Sequence, residues 1–150
     1  MHVSFDLDST LIAHGGEFEV EPVVWWARRL GIEPLRARTR ELVRELQRRG
    51  HTVSVYTTSF RSAWRIRATF VYHGLRLAQV ISEQQNQATL SKHGIAASKY
   101  PPAYGFDVHV DDSRGVAMEG KNLGFEVIVV RPEQEDWREV VLEGIARRCD

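Results

Sequence analysis

Short apolar runs alternate along the chain with longer segments in which apolar residues recur at helical spacing. The runs are rich in β-branched and aromatic residues and are bounded by glycine, proline or polar residues, which is typical of buried strands. They predict five strands, which in chain order cover residues 3–5, 52–56, 78–82, 106–110 and 125–130.

The segments between the strands predict helices, several of which end at a glycine. A small hairpin or flap is expected at residues 12–20, because it contains Gly15 and Gly16 between short apolar pieces. Ser59 is the expected N-cap of the third helix. The predicted helices cover residues 21–31, 33–49, 60–73, a short stretch within 83–99, a single turn at 101–105, 116–123 and 136–147.

Strands that alternate with helices imply a parallel sheet covered on both faces. We therefore expect an α/β fold, a three-layer doubly wound parallel sheet of about five strands of the Rossmann-like type. With 150 residues, the chain is expected to form one domain, residues 1–150.

Composition narrows the classes of function. The formal net charge is zero and no apolar run is long enough to span a membrane, so neither a general polyanion binder nor a membrane protein is expected. Cys149 is the single cysteine, which excludes an internal disulfide and agrees with a reducing compartment. Without a signal-peptide pattern at the N-terminus, a cytoplasmic location is expected.

The predicted second helix and the residues around it carry many arginines, which raises the possibility of a nucleic-acid partner. Glutamates at positions 33, 41 and 45 are interleaved with them. A helix face of mixed charge is usually solvated, so we interpret these arginines as surface residues and disfavour nucleic acid as the partner.

Polar residues follow three of the predicted strands at the point where each strand ends. Asp6 and Asp8 follow the first, Thr57 and Thr58 the second, and Asp111-Asp112 the fourth. In a doubly wound sheet, ligands bind beyond the carboxyl ends of the strands. A strand continued past Asp6 would also aim Asp6 and Asp8 to one side. Four carboxylates require a cation, and oxygen-only ligands favour Mg²⁺ over Zn²⁺.

These three motifs resemble those of the haloacid dehalogenase superfamily of magnesium-dependent phosphohydrolases. The D-x-D-x-T motif is matched at residues 6–10, an apolar strand that ends in threonine at 53–57, and an apolar strand that ends in two acids at 108–112. All three occur in order and each at a strand end, and the resemblance covers residues 3 to about 130. The fourth element of the pattern is a lysine ahead of the last of these strands. Lys99 and Lys92 are both candidates, and Lys99 is preferred because prolines follow it closely.

The resemblance implies a role for each matched residue. Asp6 would be the nucleophile that forms an aspartyl phosphate, and Asp8 the general acid and base. Thr57, the backbone N–H of Thr58, and Lys99 would bind the phosphoryl group.

Magnesium would be held by Asp6, by the backbone carbonyl of Asp8 and by one acid of the Asp111-Asp112 pair. Asp112 matches the ligand position better, and Asp111 would then contact the metal through water.

Many members of the superfamily carry a cap domain either in the flap after the first motif or after the third strand. In this chain those segments are residues 12–20 and 83–98, which are too short for a cap, so we expect a capless member with an open site. In the superfamily such a site goes with large substrates, or with a lid from another subunit. His14, Arg61 and Arg114 are candidates for substrate contacts, although ordinary surface arginines are an alternative. Trp25, Trp26 and Trp64 are expected in core or interface packing rather than as platforms that stack bases, and the histidines at 51, 73 and 109 in structural roles.

The expected function is hydrolysis of a phosphomonoester, of a small molecule or a macromolecule, through Asp6 with Mg²⁺ as cofactor. Two alternatives stay open. One is a non-catalytic phosphate- or partner-binding module on the same fold, which the complete set of site residues argues against. The other is a phosphatase of nucleic-acid ends, whose activity would fall steeply with salt.

Overall fold

A computed structural model describes residues 1–149 and shows the predicted α/β architecture. Five strands form one all-parallel sheet in the order β3-β2-β1-β4-β5. The doubly wound parallel sheet is therefore confirmed, and no large cap domain lies within the described residues. The strands are β1 (His2–Phe5), β2 (Thr52–Tyr56), β3 (Val80–Ile81), β4 (Val108–Asp111) and β5 (Glu126–Val129).

Six helices connect and follow the strands. A 3₁₀ turn at Pro101–Tyr104 precedes β4, as the paired prolines predict. No helix within residues 1–149 is long and apolar enough to cross a membrane. The helices are α1 (Trp25–Arg29), α2 (Thr39–Arg48), α3 (Ala63–Tyr72), α4 (Glu83–His93), α5 (Arg114–Leu123) and α6 (Trp137–Ala146).

The core lies between the sheet and the helices on its faces. Val3 and Phe5 of β1 are fully buried, as are Val55 of β2 and Val110 of β4. Because the central strands are covered on both faces, their apolar runs are nearly continuous rather than alternating. Leu42 and Leu46 of α2 and Val141 and Ile145 of α6 close the core from the helical layer.

The first two helices are shorter than predicted because the chain between them follows a different path. α1 begins at Trp25 rather than Glu21, and α2 begins at Thr39 rather than Glu33. The N–H of Glu21 donates to the carbonyl of Leu35, and Val20 forms an isolated antiparallel bridge with Arg36. The positive φ of Arg38, 71°, then turns the chain into α2.

The start of α3 also differs from the prediction. Ser62, not Ser59, is its N-cap, and its hydroxyl accepts a hydrogen bond from the N–H of Arg65. The Ser59 hydroxyl instead accepts from the Arg61 guanidinium. α4 is longer than the short helix predicted within residues 83–99. The Gln85 side chain satisfies the N–H of Ser82 at its start.

No hairpin forms at residues 12–20, where a small hairpin or flap was predicted. Isolated bridges at Ile12 and Val20 flank an irregular flap in which Gly15 and Gly16 have positive φ. The core packing predicted as one alternative for the tryptophans is not observed, because Trp25, Trp26 and Trp64 are exposed at 71%, 52% and 74%. The other alternative, packing in an interface, stays a prediction.

Arg36 is the largest fully buried side chain, although the sequence predicts a solvated helix position for it. Its guanidinium donates to the carbonyls of Arg131, Pro132 and Gln134, and to that of Thr10 at 3.4 Å. It lies between the rings of Phe18 and Trp137, 4.5 and 4.7 Å from their centroids. Arg36 thereby ties the segment after β1 to the loop after β5.

We expect Arg36→Ala to lower the free energy of unfolding by about 3 kcal/mol, because it removes charge-assisted hydrogen bonds and opens a cavity. Urea unfolding measures the loss. Arg40→Ala is the matched control, since Arg40 is exposed, its guanidinium is 3.7 Å from Glu21, and its backbone hydrogen bond to Glu21 does not depend on the side chain. That variant should lose less than about 1 kcal/mol. Equal losses in the two variants would contradict a structural role for Arg36.

Candidate functional site

The predicted site residues lie where the strand order reverses. From β1 the chain proceeds to β2 on one side, and β4 later pairs with β1 on the other. Phe5 is in register with Val110, and the N–H of Asp6 donates to the Val110 carbonyl at 2.9 Å. Asp6 therefore leaves the sheet beside Asp111, at the kind of switch point where ligands bind in such sheets.

Lys99 lies between these two aspartates. Its Nζ is 2.6 Å from Asp6 Oδ1 and 2.7 Å from Asp111 Oδ2, and the residue is 3% exposed. The neighbouring N–H of Tyr100 donates to the Tyr56 hydroxyl, which anchors this segment to β2. Lys92 is exposed on α4. Of the two lysines considered from the sequence, the structure brings Lys99 to Asp6.

Three carboxylates form a cluster at this point. One oxygen from each of Asp6, Asp111 and Asp112 lies within 4.8 Å of the other two. When all three and Lys99 are ionised, the group carries a net charge of −2, which one divalent cation neutralises. The donor set is oxygen only, as Mg²⁺ prefers, so these residues fit the expected metal.

Asp111 and Asp112 differ in how many contacts their carboxylate oxygens already make within the protein. Asp111 contacts Lys99 and His109 through Oδ2 and accepts the N–H of Ser113 through Oδ1. Asp112 is only partly buried and receives one long hydrogen bond, 3.4 Å, from the Thr10 hydroxyl. This difference leaves Asp112 with more free coordination capacity than Asp111.

Burial and charge shift the pKa values of the cluster in opposite directions. Burial raises the pKa of Asp6 to about 6, although the nearby Lys99 ammonium opposes the shift. Burial also acts to raise the pKa of Asp111, but the hydrogen bond from His109 and the charge of Lys99 together lower it. For Asp112, burial and the charge of Asp111 raise the pKa. Burial acts to lower the pKa of Lys99, but the charges of Asp6 and Asp111 raise it.

His109 belongs to this network, although the sequence predicts only a structural role for it. Burial lowers its pKa to about 4, helped by the charge of Lys99. A neutral ring donates from Nε2 to Asp111, at 3.0 Å, and accepts from the Ser4 hydroxyl at Nδ1, at 2.9 Å. A signal existed in the sequence, since His109 and Asp111 are two residues apart on one strand and so share a face.

Asp8 has different contacts from Asp6. β1 ends at Phe5, so the expectation that a continued strand would aim both carboxylates together does not apply. Asp8 Oδ1 is 2.7 Å from the Arg61 guanidinium and 3.1 Å from His14 Nε2. Within residues 1–149, the three-carboxylate cluster does not include Asp8.

Arg61 and His14 therefore contact Asp8, whereas Arg114 is in no ion pair with a site residue within residues 1–149. Arg61 is also held by both carboxylate oxygens of Glu33, at 2.6 and 2.9 Å. Arg114 is exposed in the first turn of α5. The turn that carries Asp8 is tight, with Ser9 at a φ of 58° and its hydroxyl bonded to Glu17.

Thr57 leaves the sheet on the same edge as Asp6, because β2 pairs with β1 with Phe5 opposite Val55. Thr57 is buried, and its Oγ1 accepts the N–H of Ser59 at 3.0 Å. Its hydroxyl proton is therefore free to be donated to a ligand. Thr58 is exposed beside it.

At the centre of the site, the buried carboxylate of Asp6 contacts the ammonium of Lys99, and the Asp111-Asp112 pair adjoins them. Thr57 places a hydroxyl beside this centre, and the carboxylate of Asp8 contacts Arg61. Comparison of the sequence with models of protein families and with curated proteins finds no match in either.

Proposed function

We propose that the chain is a magnesium-dependent phosphohydrolase that cleaves phosphomonoesters through an aspartyl phosphate on Asp6, and that it is a capless member of the haloacid dehalogenase superfamily. The observation that supports this most is the position of Asp6. Its carboxylate is buried at the strand-order switch point, bonded to Lys99 and within reach of Asp111 and Asp112.

In the first step, a carboxylate oxygen of Asp6 attacks phosphorus and forms a new O–P bond. The bond from phosphorus to the ester oxygen breaks, and that oxygen leaves as an alcohol after it receives a proton from Asp8. The ammonium of Lys99 reduces the repulsion between the Asp6 carboxylate and the incoming phosphoryl oxygens.

In the second step, Asp8 removes a proton from water while the water oxygen attacks phosphorus. The bond between Asp6 and phosphorus breaks, so inorganic phosphate leaves and both aspartates return to their initial states. The two aspartates have different surroundings, as separate roles require, since Asp6 contacts buried Lys99 while Asp8 contacts Arg61 and His14 at the rim.

Thr57 and Lys99 are the groups expected to bind phosphoryl oxygens, together with the backbone N–H of Thr58. The Thr57 hydroxyl has a proton to donate, and Lys99 carries three. Asp6, Asp112 and the backbone carbonyl of Asp8 would hold Mg²⁺, with Asp111 as a contact through water. Bound there, the ion would neutralise charge and orient the phosphoryl group for in-line displacement.

A phosphatase screen tests this proposal. The purified protein is assayed with Mg²⁺ or with EDTA on para-nitrophenyl phosphate, phosphosugars, nucleotides, phosphopeptides and phosphorylated oligonucleotides. We expect release of phosphate from at least one class, lost in EDTA and restored by Mg²⁺. Phosphate release that persists unchanged in EDTA would contradict the metal requirement.

Substitution of the acid pair is expected to separate metal binding from structure. Asp112→Asn should raise the Mg²⁺ concentration for half-maximal activity at least about 10-fold, with little change in thermal stability, because Asp112 has few protein contacts. Asp111→Asn should instead lower the melting temperature, because Lys99, His109 and Ser113 all contact that carboxylate. Magnesium titration and thermal unfolding measure the two effects.

Asp136→Asn is the control, since Asp136 is an exposed carboxylate at the start of α6. It should change neither quantity. If Asp111→Asn alone shifts the magnesium requirement, the assignment of the two acids is reversed.

A further inference from the structure

Helices α1 and α3 together form an exposed surface rich in aromatic rings and arginine. We call it the α1–α3 surface and define it by Phe60, Trp64, Trp25, Trp26, Arg28 and Arg29. Phe60 is 96% exposed, and the three tryptophans are between half and three-quarters exposed. Surfaces of soluble proteins seldom expose several large aromatic rings together without a binding role.

The two helices are in direct contact, so these residues lie on adjoining elements. The rings of Trp26 and Tyr72 are 6.4 Å apart, and the N–H of Val24 donates to the Tyr72 hydroxyl. At the other end, Arg65 donates to the carbonyl of Gly31 at 3.0 Å. These contacts place the segment from Val24 to Gly31 beside α3, with one end near Tyr72 and the other near Arg65.

The charged residues that α1 and α3 contribute to this surface are all basic, and Glu33 is in ion pairs with Arg61 and Arg65 at its edge. Residues 22–32 and 59–82 contain no aspartate or glutamate, although the whole chain has no net charge. Arg28 and Arg29 are exposed, and neither is in an ion pair with any residue in the range 1–149. The arginines near α2 differ, since Arg38, Arg48 and Arg49 are paired with glutamates.

The surface is continuous with the proposed active site. Phe60 is three residues after Thr57, and Arg61 contacts Asp8 at 2.7 Å. Trp64 is three residues after Arg61, in the first turn of α3. Because each residue spans at most about 3.8 Å, the chain between these two side chains is short. A ligand whose phosphate lies at Asp6 would extend over Phe60 toward Trp64 and α1.

We propose that the α1–α3 surface binds the single-stranded end of a nucleic acid and delivers its terminal phosphate to Asp6. The inference rests on the proposed phosphohydrolase function and names the substrate class of that site. Exposed aromatic faces stack bases whatever the sequence, and unpaired arginines contact backbone phosphates. The sequence disfavours nucleic acid as the partner because the arginines near α2 are interleaved with glutamates, whereas this surface lies on other helices.

The shape of the surface favours stacking over capture of a peptide side chain. Cavities of about 440 and 290 Å³ lie elsewhere, the first lined by Arg36 and Trp137, the second at the end of α4. Planar rings that project into solvent need only a flat partner, which a nucleobase provides.

Binding is tested with the Asp6→Asn protein, which keeps the phosphate on the probe, and with fluorescent oligothymidylate phosphorylated at either end. Fluorescence anisotropy should show that Trp25→Ala and Trp64→Ala each weaken binding about 10-fold. The double variant Arg28→Gln, Arg29→Gln should reduce the slope of log K against log salt concentration by about 1–2. Met118→Ala and Arg147→Gln are the controls, since both residues are exposed elsewhere, and neither should change binding.

Turnover separates this inference from the proposed function. With Asp6 intact, Trp25→Ala and Trp64→Ala should lower kcat/KM on the phosphorylated oligonucleotide about 10-fold and leave para-nitrophenyl phosphate hydrolysis unchanged. Equal turnover of the oligonucleotide by wild type and variants overturns the inference while the phosphatase activity stands. If the variants lose oligonucleotide binding but the wild-type protein hydrolyses no ester, nucleic-acid binding by the α1–α3 surface is supported and the proposed phosphohydrolase function is refuted.

Two further outcomes would assign the surface to another partner. An acidic phosphopeptide that binds more tightly than the oligonucleotide, with the same dependence on Trp64, would overturn the inference in favour of a protein substrate. A dimer in light scattering that Trp25→Ala and Trp64→Ala convert to monomer would overturn it in favour of a second copy of the chain.

Discussion

Replacement of Asp6 by asparagine is expected to abolish phosphatase activity, with a loss in kcat on the order of 10⁴-fold or more. An amide is not a nucleophile toward phosphorus under these conditions, and the remaining groups of the site only bind and polarise the phosphoryl group. Asparagine has nearly the same shape as aspartate, and Lys99 keeps its contact with Asp111 at 2.7 Å. The variant should therefore remain folded.

Steady-state phosphate release with saturating Mg²⁺ measures the effect, and thermal unfolding verifies the fold. Asp136→Asn is the matched control and should retain wild-type activity, because that carboxylate is exposed at the start of α6 and does not belong to the three-carboxylate cluster. If Asp6→Asn retained more than about a tenth of the wild-type kcat, covalent catalysis by Asp6 would be refuted.

Replacement of Lys99 by methionine is expected to damage both stability and activity. The substitution leaves the carboxylates of Asp6 and Asp111 buried without their shared counter-charge, and removal of one partner from a buried pair costs about 3–5 kcal/mol. Activity should fall about 10²- to 10³-fold, because the ammonium no longer offsets the charge of the nucleophile and the phosphoryl group.

Lys92→Met is the matched control for Lys99→Met, since Lys92 is exposed on α4. Urea unfolding and phosphate release should both be nearly unchanged in that variant. Saturating Mg²⁺ should recover part of the stability lost in Lys99→Met, because the cation binds the folded state and neutralises the same carboxylates. If Lys92→Met instead causes the larger loss of activity, the choice of lysine is wrong.

The sheet and the position of the site could be predicted from the sequence because both depend on short-range patterns. The apolar run at residues 52–56 is the strand β2 itself, and Asp6, Thr57 and Asp111 follow strands as expected. Once the strands are parallel, their carboxyl ends share one edge, so the polar residues converge there whatever the details of the loops.

The starts of the first three helices could not be predicted, because contacts between distant residues decide them. Leu35 has helical spacing with the apolar residues of α2, but the pairing of Glu21 with Leu35 and of Val20 with Arg36 draws this segment away from a helix. Arg36 illustrates the same limit. Three of its four carbonyl partners are almost 100 positions away in the loop at residues 131–134, so periodicity alone places it on a solvated face.

The exposure of the tryptophans was also beyond the sequence, since a large apolar residue in a predicted helix is normally assigned to the core. α1 has five residues, of which only Ala27 is buried, and this short helix covers little of the sheet. Trp25 and Trp26 therefore remain outside the core. The exposure of Trp25 and Trp26 depends on how α1 packs in the folded chain, which the sequence pattern does not specify.

A crystal structure of the protein with Mg²⁺ and beryllofluoride tests the central claim most directly, because beryllofluoride bonds to a carboxylate as the phosphoryl group of an aspartyl phosphate would. We predict beryllium bonded to a carboxylate oxygen of Asp6, fluorine atoms near Lys99 and Thr57, and Mg²⁺ held by Asp6 and Asp112. Beryllofluoride on another residue, or Mg²⁺ bound away from Asp6, Asp111 and Asp112, would contradict the proposed mechanism.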